Sequence, residues 1–184
     1  MLKNILIGAG VVFGLIFLAM ISMVMIVSSV NKPKGNKEEV LAGNGRSKKA
    51  LIVYQPALTG ITSRVAWQIA KGLNEGGYEV TLNHPGEHLP ADLSQYPIIV
   101  FGSPVYATQL SKALTDYMSK VQEYPSRRIV LYSTGSVMNE VKELDAMESL
   151  LKGGKAFKKV KFSAAGNNDN DKLAYELGKE LAGE

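Results

Sequence analysis

The chain has 184 residues, 46% of them apolar, with 18 Gly, 7 Pro, no Cys and a formal net charge of +4. The apolar fraction is ample for a packed core, which excludes wholesale disorder. The missing cysteine excludes a disulfide framework, thiolate metal ligation, a cysteine nucleophile and a bacterial lipoprotein anchor. The positive charge is local. Lys3, Lys32, Lys34, Lys37, Arg46, Lys48 and Lys49 face only Glu38 and Glu39 near the N-terminus, whereas acids and bases nearly balance from Ala50 onward. A broad basic face for phosphate backbones is therefore missing, and no nucleic-acid partner is expected.

The 26 residues from Ile5 to Val30 carry no charged side chain. As a helix they cover roughly 39 Å at about 1.5 Å per residue, more than the roughly 30 Å of a bilayer's hydrocarbon core. A secretory signal would have an apolar stretch of roughly 7–15 residues and a small-residue cleavage site. This run is longer and ends Ile26-Val27-Ser28-Ser29-Val30, so residues 1–30 are expected to be an uncleaved transmembrane anchor. The lysines and arginine after it outnumber Lys3 before it, which predicts a cell-membrane protein with its C-terminal part on the cytoplasmic side. Gly10 and Gly14 form a G-x-x-x-G that would let two anchors pack as a homodimer. Residues 31–48, polar and basic, are expected to be a flexible tether with no apolar face to bury.

From Lys49 to Glu184 short apolar runs alternate with amphipathic stretches. Ala50 to Tyr54, Tyr78 to Leu82, Pro97 to Gly102, Arg128 to Tyr132 and a more polar run around Val160 to Phe162 read as five strands. Helical stripes separate them: Val65, Ala66, Ile69, Ala70 and Leu73; Leu110, Ala113, Leu114, Tyr117, Met118 and Val121; Val141, Leu144, Met147, Leu150 and Leu151; Leu173, Ala174, Leu177 and Leu181. Strands apolar on both faces and separated by helices predict an α/β, doubly wound parallel sheet.

Ligands of such sheets sit beyond the carboxyl ends of the strands, where the strand order reverses. The first loop there, Gln55 to Ser63, lacks the glycines of a dinucleotide fingerprint and the Gly-Lys-Thr of a P-loop. It does offer Thr59, Thr62 and Ser63 hydroxyls and a row of helix N-terminal amides, a set that holds phosphate without a lysine. The second, Gly102-Ser103-Pro104-Val105-Tyr106-Ala107-Thr108, presents an aromatic at the sheet edge. The third, Ser133-Thr134-Gly135-Ser136, is small and hydroxylic. Together they suit a flat, phosphorylated heterocycle.

These residues resemble the flavodoxin family, and in particular its small membrane-anchored bacterial members. In the family's first loop, hydroxyl-x-Thr-Gly-x-Thr, the matching positions are Ala57, Leu58, Thr59, Gly60, Ile61 and Thr62, with Ala57 in place of the hydroxyl and Ile61 in place of a common Asn. Gly102-Ser103-Pro104-Val105-Tyr106 is similar to the Gly-Ser/Thr-Pro-x-Tyr of related FMN proteins. The resemblance implies a five-stranded sheet of order 2-1-3-4-5. It also implies FMN, its phosphate on Ala57 to Thr62 and its ring against Ser103, Pro104, Val105, Tyr106 and Ala107 and against Ser133, Thr134, Gly135 and Ser136. Electron transfer with an unknown redox partner protein at the membrane follows. Two alternatives stay open: a cofactor-less binding or regulatory module, and an FMN-dependent NAD(P)H or quinone reductase.

No catalytic acid or base is identified, so any chemistry must come from a cofactor. His84 and His88 have helical spacing, but Pro85 and Gly86 between them oppose a helix there and Glu87 is the one nearby carboxylate, so no metal site is expected. Trp67 falls off its helix's stripe and reads as edge packing. Tyr132 is the one residue that would fill the role of an aromatic after the third apolar strand. Lys155, Lys158, Lys159 and Lys161 read as a solvated or headgroup-facing edge.

Overall fold

The computed structural model describes residues 2–43, 48–124, 128–138, 141–165 and 168–183. Arg46 of the expected tether lies outside them. The chain divides after Lys32 into two units. The first is the helix α1 (Leu2–Asn31). Its stretch Gly8–Asn31 is long and apolar enough to cross a membrane, a test that a signal sequence near an N-terminus also passes.

The second unit is built on β1 (Glu39–Leu41), β2 (Lys49–Tyr54), β3 (Glu79–Asn83), β4 (Ile98–Pro104), β5 (Arg128–Gly135) and β6 (Lys158–Ser163). Between them run α2 (Ile61–Glu75), α3 (Lys112–Lys120), α4 (Lys142–Glu148) and, last, α5 (Asn168–Gly183). The sheet order is β1-β3-β2-β4-β5-β6. Strands β3, β2, β4, β5 and β6 are mutually parallel and reproduce the expected 2-1-3-4-5 order. Alternate residues of β2 and β4 point to opposite layers. Ile52 and Val100 join the α2/α5 core, whereas Val53 and Phe101 join the core under α3 and α4. Burial on both faces explains why these strands read as unbroken apolar runs.

The sheet has six strands rather than five. The sixth, β1, comes from the segment expected to be a tether throughout and pairs antiparallel with β3, Val40 opposite Thr81. Leu41 packs against the α2/α5 core. Two side-chain amides fasten the segment. Asn74 Nδ2 donates to the Ala42 carbonyl at 3.0 Å, and Asn83 Oδ1 accepts from Lys37 N–H at 2.9 Å.

Helices α2 and α5 cross with almost no space between them. A Cβ on Gly72 would overlap the Tyr175 carbonyl, and one on Gly178 the Ile69 carbonyl. Trp67 packs half-buried at the edge of that layer. Two stripe residues fall outside the core: Val141 and Leu173 are exposed.

Candidate functional site

The strand order reverses at β2. The chain leaves β2 toward β3 on one side, then crosses to β4 on the other. The carboxyl ends of β2 and β4 therefore bound the crevice in which doubly wound folds bind ligands. Just beyond β2, Gly60 N–H donates to the Ala57 carbonyl at 3.0 Å, closing a turn. Gly60 adopts φ 72°, a left-handed conformation that a residue with a Cβ takes only at a cost, and caps α2.

The start of α2 is electrostatically bare. No side chain caps it and its first turn holds no acid. By contrast, Glu143 and Asp145 occupy the first turn of α4, and Asp169 and Asp171 that of α5. Among the described residues, no acceptor meets the amides of Thr59, Ile61, Thr62 and Ser63. Thr59 and Gly60 are exposed. Free N–H groups at the positive end of a helix dipole are the chemistry that suits an anion.

Several hydroxyls expected to face a ligand are instead spent inside the protein. Thr62 is fully buried, and its Oγ1 lies 2.7 Å from Thr134 Oγ1. Ser103 Oγ donates to the Pro104 carbonyl and accepts from Ser111 N–H, both at 2.9 Å. Ser133 Oγ donates to Glu143 Oε1 at 2.9 Å. These groups tie the three loops to the scaffold, whereas Thr59 of the first loop stays exposed. Tyr132, the candidate aromatic after β5, is fully buried; its hydroxyl donates to the Thr62 carbonyl at 2.9 Å. It braces α2 from beneath and has no face for a ligand.

Tyr106 joins the first two loops: its hydroxyl accepts from Leu58 N–H at 3.0 Å. One amide of the first loop is thus already engaged. Tyr106 and Gln109 then exchange both backbone hydrogen bonds across Ala107 and Thr108. Those two residues have φ of 48° and 65°. Such a two-residue turn prefers Asn-Gly, and left-handed backbone costs a residue with a Cβ about 1–2 kcal/mol. Thr108→Gly is expected to stabilise the domain by about 0.5–1 kcal/mol, after glycine's greater unfolded-state entropy is subtracted. The urea midpoint should rise at constant m; an unchanged or lower midpoint would show that no strain is stored there.

A cleft of about 410 Å³ lies beside this turn, lined by Val105, Ala107, Thr108, Gly135, Ser136, Val137, Lys142, Glu143 and Lys161. The expected ring residues Val105, Ala107, Gly135 and Ser136 meet there, while Leu58, Val137 and Met138 expose apolar side chains on the first and third loops. Sequence reading missed the pair in this cleft, Lys161 Nζ and Glu143 Oε1, 2.7 Å apart with each side chain only 6% exposed. Burial pushes the Glu143 carboxyl up, but hydrogen bonds from Lys161, its own backbone N–H and Ser133, with the Lys161 charge, hold it below the usual carboxylate value. Of the lysine cluster, Lys158 pairs with Glu180 and Lys159 with Asp145 and Glu148. Lys155 is exposed, and the pairs of Lys158 and Lys159 are themselves partly open to solvent.

His84, at the end of β3, is buried and sits edge-on to Tyr54 with centroids 5.2 Å apart. Burial and the Lys37 charge lower its pKa. His88 is exposed, and among the described residues no cluster could hold a metal ion.

A family profile described as a flavodoxin domain matches residues 51–176. No curated protein matches the chain. Among solved structures, oxidised Flavodoxin 2 from Bacillus cereus is 18% identical with a TM-score of 0.62, covering 73% of this chain and 98% of that one. Two-electron reduced flavodoxin from Megasphaera elsdenii is also 18% identical, at a TM-score of 0.57, covering 73% and 99%. The flavodiiron core Flv1 from Synechocystis is 16% identical at 0.63; the match covers 77% of this chain but only 36% of that much longer one.

Proposed function

The chain belongs to the flavodoxin-domain family, and from that membership we propose that it binds FMN and transfers electrons at the cytoplasmic face of a membrane to which α1 anchors it. One observation carries the reading: the uncapped, acid-free start of α2 stands at the strand reversal with a cleft nearby. The backbone amides of Thr59, Ile61, Thr62 and Ser63 suit a dianionic phosphate. Val105, Tyr106, Ala107, Gly135 and Ser136 suit a flat ring. When bound, FMN supplies the one- and two-electron chemistry that no side chain here provides. The protein's own part is to grip the phosphate, fix the ring's tilt and keep water from one of its faces.

Anchoring rests on the length of the charge-free helix, and the cytoplasmic side on Lys32, Lys34 and Lys37 following it. The redox partner is a protein that reaches the exposed edge of the cleft. A second reading, a cofactor-free binding module, is favoured by the bond from Leu58 N–H to the Tyr106 hydroxyl, which fills part of the cradle.

The full chain, purified in detergent, separates the two. The FMN reading expects visible flavin absorption, release of FMN identified by mass, and bleaching by dithionite that air reverses. A colourless protein that leaves the fluorescence of added FMN unchanged rejects it in favour of the second.

A further inference from the structure

We propose that the Glu143–Lys161 pair on the floor of the cleft sets the reduction potential of the bound ring, so that this chain tunes its flavin with an internal ion pair. The inference rests on the FMN reading of the site. Lys161 stands on β6 and Glu143 in the first turn of α4, and both line the same cleft as Val105, Ala107, Gly135 and Ser136. The lysine side chain passes beneath Gly135: a Cβ there would sit 3.4 Å from Lys161 Cε and 3.9 Å from Nζ. Each charged side chain is only 6% exposed, so little water lies between either charge and an occupant of the cleft. Lys142, in contrast, is exposed at the rim, where solvent and salt screen it.

Full reduction of a flavin at neutral pH takes up two electrons and one proton and leaves one net negative charge on the ring. A buried cation close by stabilises that product, and a buried anion opposes it. With the pair intact the two fields partly cancel. Each single substitution removes one sign of charge from beside the ring, so the two must act with opposite sign. A merely structural ion pair has no reason to produce that pattern, since breaking it from either side destabilises the fold alike.

The test uses the full chain in detergent, loaded with FMN and reduced stepwise by dithionite at neutral pH beside a reference dye. Lys161→Met is expected to shift the two-electron midpoint negative and Glu143→Gln to shift it positive. Each corresponds to about a tenfold change in the ratio of FMN affinities between the reduced and oxidised states. The double variant should return close to wild type, and Lys142→Gln should move the midpoint far less than either. Should Lys161→Met fail to fold around its isolated carboxylate, Glu143→Gln and the double variant still decide the matter. Equal midpoints in all variants, or shifts of one sign for both single changes, overturn the proposal while leaving FMN binding intact. A wild-type chain that takes up no FMN overturns both.

Discussion

Gly102→Ala is expected to destabilise the domain by about 3 kcal/mol, at the upper end of the usual cost of overpacking a core. A Cβ at this point of β4 would lie inside the Tyr132 ring, against Cζ, Cε1 and the hydroxyl. The ring has nowhere to retreat. It is fully buried and packs edge-on to Phe162 at 5.9 Å, and its hydroxyl is committed to the Thr62 carbonyl. The backbone is pinned as well, with Gly102 paired to Tyr54 on one side and to Tyr132 on the other. Against a total stability of about 5–15 kcal/mol, such a loss should be plain in a urea midpoint. The damage should also reach the site, because an evicted Tyr132 no longer braces the first turn of α2. Combining the change with Tyr132→Leu makes room and should recover part of the lost stability. If Gly102→Ala melts like wild type, Gly102 is not the space that Tyr132 occupies.

The second large effect concerns binding. Thr59→Asp places a carboxylate at the exposed tip of the cradle, where a phosphate would otherwise meet the free amides. Like charges forced together at a binding site cost several kcal/mol, so affinity for FMN should fall about a hundredfold or more. Stability should change by less than about 0.5 kcal/mol, since Thr59 is exposed and a negative charge suits the start of a helix. That split, lost affinity in an intact fold, distinguishes occupation of the cradle from general damage. Fluorescence titration with FMN and a thermal melt on the same sample measure the two quantities. Unchanged affinity would place the phosphate elsewhere.

Much of this architecture was legible in the residues because burial on both faces leaves an unbroken apolar run, as in Leu51-Ile52-Val53 and Ile98-Ile99-Val100-Phe101. The parallel direction came from those same runs, and the strand order 2-1-3-4-5 from the resemblance carried by Thr59-Gly60-Ile61-Thr62 and Gly102-Ser103-Pro104-Val105-Tyr106. Strand β1 was illegible for a physical reason. It is three residues long, only Leu41 faces the core, and backbone pairing and the amides of Asn74 and Asn83 hold the segment. The hydroxyls of Thr62, Ser103, Ser133 and Thr134 announced hydrogen bonding but not its direction, which the depth of each residue decides. Tyr132 shows the same limit: it lies two residues after Val130 and shares the α2/α5 face with it. The Glu143–Lys161 pair was not legible. Lys159 and Lys161 alternate along β6, and Glu143, Asp145 and Glu148 recur along α4. Seeing that these rows meet required knowing that α4 covers the sheet beside β6.

FMN binding in this site requires a phosphate held by the start of α2, and riboflavin, the same ring without the phosphate, isolates that contact. Titrated into the full chain in detergent, FMN should bind about a hundredfold or more tightly than riboflavin, the difference expected when several amide donors lose a charged acceptor. Equal affinity for the two, or none for either, would contradict it.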